Sequence, residues 1–295
     1  MKKYAIVGCG RLGTALARYM ANAGYRPAGF ASRSFASAKR GAAVAGSDAP
    51  VSLLPWEITP GADIVMITTP DGAIRQTAEK IAEYQGVEKE TVVLHCSGAH
   101  ASTELEALKN CGAKIGSLHP LQSFAAEDIE KNPFVGIMAA VEGEAEAVKT
   151  ARRLAENLGA SPFEIQTDKK MLYHASAVVA SNYMVTLIYL ALQLIIASGV
   201  PASRAFAILK PLVQGTLSNI EKSGIPRALT GPIARGDVET VRDHISEIST
   251  KAPTRLELYR LLGKNTIEVA EAKGDLTGEA AEELKKLLSD QPPGF

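Results

Sequence analysis

The segment Gly8-Cys9-Gly10-Arg11-Leu12-Gly13 constrains the fold more than any other stretch of the chain. It follows an apolar run at residues 4–7 and opens a segment rich in helix formers at 12–23, the strand–loop–helix setting that gives a GxGxxG its meaning. Gly8 allows the tight turn, Gly10 lets backbone approach a pyrophosphate, and Gly13 lets the helix pack close to the strand. A helix starting there offers unpaired N–H groups and the positive end of its dipole to an anion. Glycine costs about 1 kcal/mol relative to alanine inside an element, so three at this spacing need a reason. Cys9, Arg11 and Leu12 complete the loop and are expected beside the nucleotide.

The first half of the chain alternates strand-like and helix-like segments, the pattern of a parallel sheet covered by helices. Strands are predicted at 4–7, 26–31, 63–68, 91–95, 114–118, 135–141 and 162–166. Helices are predicted at 12–23, 34–45, 71–84, 102–110 and 144–158, with Asp71 and Ser102 as N-caps. After Asp168 the chain reads as helix throughout, with breaks at Gly199-Val200-Pro201, Gly224-Ile225-Pro226, Gly231-Pro232 and Gly274. A length of 295 residues fits two domains, because single cores stop growing at about 250–300 residues. The expectation is α/β: a Rossmann-type doubly wound parallel sheet over 1–166, followed by an all-α domain over 167–295. The tail 291–295 is expected to fray.

The end of the second strand distinguishes the two pyridine dinucleotides. NAD enzymes usually carry Asp or Glu about 20 residues past the glycines, to bind the ribose hydroxyls. This chain has Ser32-Arg33-Ser34 there, and its next acid is Asp48. A guanidinium flanked by two hydroxyls matches an extra phosphate, which points to NADP. Ligands of open α/β sheets bind outside the carboxyl ends of the strands. Thr68-Thr69-Pro70 and Cys96-Ser97-Gly98 are therefore expected along the cofactor, with Ser97 also near the substrate. His119, at the end of the strand before Pro120, is expected at the substrate.

On a helix beginning near Asp168, Lys170, His174 and Ser181 would lie within about 40° of one another, forming one polar stripe on an apolar rod. That stripe makes Lys170 and His174 the candidates for proton transfer. Asp237 is the expected cap of the helix at Val238, whereas Arg235, in a Gly/Pro-shaped loop, can bind a carboxylate or make an ion pair across an interface.

Residues 171–203 contain no charged side chain and are long enough to cross a bilayer. They also hold His174, Ser176, Ser181, Asn182, Thr186 and Gln193, with no aromatic belt or polybasic flank. A buried helix of a two-domain protein is the expectation, with no membrane partner. Net charge is zero, which argues against nucleic acid. Three cysteines without a CxxC pair indicate neither a disulfide framework nor a metal site. A start without a signal-peptide pattern leads to a cytoplasmic expectation.

Five segments carry a family resemblance: GCGRLG near the start, SGA at 97–99, HPLQSF at 119–124, YHASAVVASNY at 173–183 and GPIARGD at 231–237. With these the chain resembles oxidoreductases that join a Rossmann-like domain to a helical domain of unknown function. It is more distantly similar to pyrroline-5-carboxylate reductase, ketopantoate reductase, prephenate dehydrogenase and the β-hydroxyacid dehydrogenases. The resemblance implies a helical domain like the C-terminal domain of 6-phosphogluconate dehydrogenase, hydride transfer at the domain interface, and a homodimer formed by helical domains. Ketopantoate and β-hydroxyacid enzymes use Lys-x-x-x-Asn on the first helix of that domain. Here Lys170 holds the lysine position, but His174 replaces the asparagine, which leaves the proton donor open between them.

The expected function is an NADP-dependent reduction of a C=O or C=N group on a small, carboxylate-bearing metabolite. Lys170 or His174 would supply the proton, and His119, Asn182 and Arg235 would bind or orient the substrate. The alternative is a non-catalytic NADP sensor, since fold alone does not establish chemistry.

Overall fold

The computed structural model describes residues 1–124 and 130–289. The expected fraying of 291–295 lies outside the described residues. The chain divides into two compact units, Met1–Ala180 and Ser181–Phe295.

The first unit is built on one eight-stranded sheet: β1 (Lys3–Val7), β2 (Arg26–Ala31), β3 (Val51–Ser52), β4 (Ile64–Ile67), β5 (Val92–His95), β6 (Lys114–Pro120), β7 (Met138–Gly143) and β8 (Ser161–Glu164), in the order β3-β2-β1-β4-β5-β6-β7-β8. All neighbouring pairs are parallel except β6 with β7. β4 (IVMI) and β5 (VVLH) are buried along their whole length. Continuous apolar runs of this kind belong to strands covered on both faces. The covers are α1 (Arg11–Asn22), α2 (Phe35–Val44), α3 (Ile74–Glu83) and α4 (Ala145–Leu158). The expected doubly wound sheet is what forms.

Several local expectations fail for identifiable reasons. The two-residue β3 has too little sequence to show a period. Asp71 caps no helix: it opens a 3₁₀ turn, and Ala73 occupies the N-cap of α3 without a side-chain bond. Residues Ser102–Cys111 form 3₁₀ rather than α-helix, and Ser102 does not cap them. Its hydroxyl is committed to Glu142 instead, at 2.7 Å.

The run after Asp168 is α5 (Lys170–Val178), a π-helical turn (Val179–Tyr183) and α6 (Met184–Ala197). The π turn winds more residues into one turn than an α-helix does, so Ser181 leaves the register of Lys170 and His174. The stretch Thr167–Ala197 has the length and hydropathy to cross a membrane, yet only 6% of its apolar window is buried within the chain. The expected buried helix is therefore not observed. A rod apolar on all sides needs covering all round, and this chain by itself covers little of it.

The second unit continues with α7 (Ala202–Ser223), α8 (Ile225–Ala228), α9 (Val238–Lys251), α10 (Leu256–Lys273) and α11 (Gly278–Ser289). Val241, Ile245, Ile248, Leu256, Ile267, Ala281, Leu284 and Leu288 form its core. Asp237 caps α9 as expected, accepting from the Thr240 amide at 3.1 Å and its hydroxyl at 2.7 Å.

Packing of α1 on β1 leaves no room beside the glycines. Gly8 adopts φ +106°, and a Cβ on Gly13 would sit 1.9 Å from the Gly8 carbonyl oxygen. Gly13→Ala should therefore cost at least the roughly 1–3 kcal/mol typical of overpacking, measured as a lower urea midpoint at unchanged slope. An unchanged midpoint would contradict this packing.

Candidate functional site

The carboxyl ends of β1, β2 and β4 open onto a cleft of about 970 Å³. Of the residues expected at the nucleotide, Gly8, Cys9, Gly10, Ser32, Arg33, Ser34, Thr68, Thr69 and Pro70 line it. Arg11, Leu12 and Gly13 do not line it and belong to the first turn of α1. A Cβ on Gly10 would meet nothing within 4 Å, and no side chain caps α1. Open space thus lies over a helix end whose amides lack intrahelical partners.

Individual side chains sharpen the picture. The Cys9 thiol turns inward, 3.7 Å from the Ala31 carbonyl, and burial pushes its pKa to about 12, against the opposing pull of Arg40. Only the backbone of Cys9 is left to face a ligand. Ser34 caps α2, accepting from the Ser37 amide at 3.2 Å. Arg33 is exposed and makes no ion pair among the described residues. Arg40, one helical face further on, reaches the Cys9 carbonyl and the Ser37 hydroxyl, both at 3.4 Å. Arg40, Ser37, Gln76, Thr77, Lys80 and Trp56 also line the cleft and were not singled out from the sequence. Their signal lies in helix phase, which names a face only once the helix is placed. Three lining residues are cationic and none is acidic.

A second cluster stands at the ends of the next two strands, β5 and β6. The Nδ1 of His119 is 2.8 Å from the Tyr173 hydroxyl, and the two rings meet edge to face. A Cβ on Gly98 would come within 2.8 Å of the Nε2 of His119 and of the Cδ2 of His174. Gly98 is therefore the gap into which both imidazoles fit. Ser97, expected at cofactor and substrate, spends its hydroxyl on the turn, accepting from the amides of Ala99 (3.2 Å) and His100 (3.0 Å).

Lys170 does not lie on an open polar stripe, and its side chain is 1% exposed. Its ammonium donates to the Ser117 hydroxyl and to Glu142 Oε1, the latter at 3.0 Å. The Glu142 carboxylate also accepts from the Ser117 hydroxyl (2.6 Å), the Ser102 amide (2.9 Å) and hydroxyl (2.7 Å), and the Thr167 hydroxyl (3.0 Å). Glu142 was not singled out from the sequence, where it falls between a strand predicted at 135–141 and a helix predicted at 144–158. Asn182 and Arg235 belong to the second unit and are exposed there. Arg235 stands 3.9 Å from its neighbour Asp237.

Burial is the first influence on each of these groups. It opposes the charge on Glu142, but the Lys170 ammonium and the bonds from Ser117, Ser102 and Lys170 prevail and hold the carboxyl at about 2. Burial lowers the Lys170 pKa against the pull of Glu142. Burial, then the charges of Lys170 and His174, bring His119 to about 4 despite Asp71. Burial and Lys170 bring His95 to about 3. Burial lifts Tyr173 to about 12.

Comparison with known proteins places this geometry in a class. Residues 2–120 match the Rossmann-like domain family, and residues 137–266 match a domain of unknown function, DUF2520. The chain thus joins a Rossmann-like domain to a DUF2520 domain, the architecture that the sequence resemblance implies. No curated protein sequence matches it. Among solved structures it is similar to protein TM1727 from Thermotoga maritima, at 27% identity and TM-score 0.73 over 92% of this chain and 99% of that one. It is also similar to BF3122 from Bacteroides fragilis, named as a candidate NADP oxidoreductase, at 22% identity and TM-score 0.70 over 90% and 98%. A pyrroline-5-carboxylate reductase from Coxiella burnetii shares the fold at 14% identity and TM-score 0.58 over 97% and 98%.

The buried groups set an acid limit on stability. The folded-state pKa values of His119 and His95, about 4 and 3, lie below the ordinary 6.5. Their contribution is complete above pH 6.5 and is lost as pH falls through that window. Glu142, at about 2 against an ordinary 4.5, adds a further loss below 4.5. Urea midpoints should therefore fall steadily from pH 6.5 to 3, and His119→Gln should flatten the upper part of that profile. A flat wild-type profile would contradict this assignment.

Proposed function

We propose that this protein is an NADP-dependent reductase acting on a C=O or C=N group of a small metabolite. The observation that carries the reading is the cleft at the strand ends: a bare helix tip beneath open space, with Arg33, Arg40 and Lys80 on its walls and no carboxylate. The residues fit the nucleotide. Backbone at Gly8 and Gly10 and the first amides of α1 suit a pyrophosphate, and Arg33 with Ser32, Ser34 and Arg40 suits the additional phosphate of NADP. Bound NADPH supplies hydride.

The chain's own groups then have to orient an acceptor and manage one proton. In strand order, the cluster of His119, Tyr173 and His174 stands directly beyond the cleft, at the ends of β5 and β6. His174 is the group we assign to proton delivery, in preference to the sealed Lys170. His119, kept neutral by burial, orients the acceptor or hands on a proton through Tyr173. Such assistance typically contributes about 10²–10⁴-fold. Asn182 and Arg235 are the second unit's candidates for substrate recognition, Arg235 for a carboxylate. The architecture shared with the Bacteroides and Coxiella proteins supports this chemistry by analogy.

Calorimetry should detect NADPH binding, and Arg33→Ala should weaken it by about 10- to 100-fold, the loss of a charged hydrogen bond, while changing NADH affinity little. Failure to bind either nucleotide would end the proposal. Oxidation of NADPH in a panel of carbonyl and imine acceptors, with ketopantoate and pyrroline-5-carboxylate first, tests turnover. Tight binding without turnover on any of them would favour the sensor reading.

A second copy of the chain is the partner we assign to the uncovered helices. Leu187, Tyr189, Phe206, Leu212 and Leu217 are all exposed on α6 and α7, and large apolar side chains grouped in this way mark an interaction face. A membrane suits this rod poorly, because its first helical residue, Lys170, is buried in polar bonds to the sheet. Light scattering should give twice the chain mass, and Leu212→Glu should shift the protein towards monomer. A wild-type monomer at micromolar concentration would refute the assignment.

A further inference from the structure

The polar contacts between β6 and α5 form two rungs, and only one of them is open to chemistry. Residues two apart on a strand share a face, so Ser117 and His119 point the same way from β6. Residues three and four apart on a helix share a face, so Tyr173 and His174 stand one turn beyond Lys170 on α5. The first rung joins Lys170 to Ser117 and, behind it, to Glu142. The second joins Tyr173 to His119, with His174 against the same glycine, Gly98. Two residues of strand span about 6.6 Å and one helical turn spans about 5.4 Å, so fixing one rung fixes the other.

The first rung is sealed: the Lys170 and Glu142 side chains are each 1% exposed. It is also fully committed. Glu142 receives bonds from β6 (Ser117), from the turn after β5 (Ser102), from the residue three before α5 (Thr167) and from α5 itself (Lys170). In the sheet, Ser117 pairs with His95 on one side and with Glu142 on the other, so the rung extends across three strands. An apolar contact can slide by a fraction of a turn with little penalty. A carboxylate with five donors aimed at two oxygens fits one arrangement, because each lost bond would leave a buried polar group unpaired.

We propose that the Lys170–Glu142 pair is a positioning device that fixes the register of α5 against β6, and through it the hydrogen bond between Tyr173 and His119. Lys170 on this view never meets the acceptor. Its part is to keep Tyr173 and His174 where they meet His119. The inference rests on the reductase reading only for the role of the second rung, since the clamp itself is a property of the apoprotein.

The test uses the full chain with ¹⁵N-labelled histidine, and Tyr173→Phe as the reference for a His119 ring that has lost its partner. The double variant Lys170→Met with Glu142→Leu replaces the pair by apolar side chains, an exchange that buried ion pairs often tolerate. The expected result is a folded protein with unaltered NADPH affinity, whose His119 ring-nitrogen signals move to the Tyr173→Phe position. On any acceptor the wild type reduces, kcat should fall at least tenfold with KM nearly unchanged. A folded double variant retaining the wild-type His119 signals would overturn the proposal and leave the pair a stabilising element alone. Should the double variant not fold, Ser102→Ala and Thr167→Val each remove one bond to Glu142. Both should shift or broaden the same signals part of the way, and no change in either would equally overturn it. Loss of NADPH binding in the wild type would defeat the reductase reading while leaving the His119 measurement decisive for the clamp.

Discussion

A carboxylate sealed inside a protein must be answered by donors, and Glu142 is answered by five of them. Removing one partner of such a buried pair typically costs about 3–5 kcal/mol, because the other charge is left without compensation. That constraint ties β6, β7, the turn after β5 and the start of α5 into one unit. It explains why Ser102 caps nothing and why Lys170 is unavailable to solvent. It also adds to the effect of burial, which is the main cause of the lowered pKa values of His95 and His119, since the Lys170 ammonium disfavours a second positive charge there.

The cleft at the ends of β1, β2 and β4 follows the opposite logic. There the chain leaves groups unanswered: the first amides of α1, the open space above Gly10 and the guanidinium of Arg33. The whole chain is neutral, yet the walls of this cleft carry three cations and no acid. Charge is distributed so that an anion completes the structure. Along the row of strand ends, an anion-seeking cleft at β1, β2 and β4 gives way to a neutral, partly buried imidazole–phenol cluster at β5 and β6. A charged, phosphate-bearing molecule and an uncharged reacting group would find these respective environments favourable.

Much of this was legible in the sequence. The glycine spacing and the apolar strands read correctly because each is a local pattern with a local physical cause: steric room and burial on both faces. His119, His174 and Lys170, all singled out from the sequence, lie in one region of the structure. The part of each was not legible, because spacing along a helix gives direction but not depth. Lys170 and His174 lie one turn apart, yet one is sealed and the other borders an open cluster. Tyr173 lay inside a recognised motif without a reason to stand out, and Glu142 fell in the short gap between a predicted strand and a predicted helix.

The sequence by itself determined the sheet, the glycine turn between β1 and α1 and the lack of an acid after β2, since these depend on residues within a few positions of one another. Only the tertiary structure decided that Lys170 is a partner of Glu142 rather than an open acid, that His119 pairs with Tyr173, and that the apolar rod after Asp168 remains largely uncovered by its own chain. Those outcomes depend on contacts between residues about 30 to 50 positions apart. Whether a buried charge is met or a face is covered is settled by packing, which no local pattern encodes.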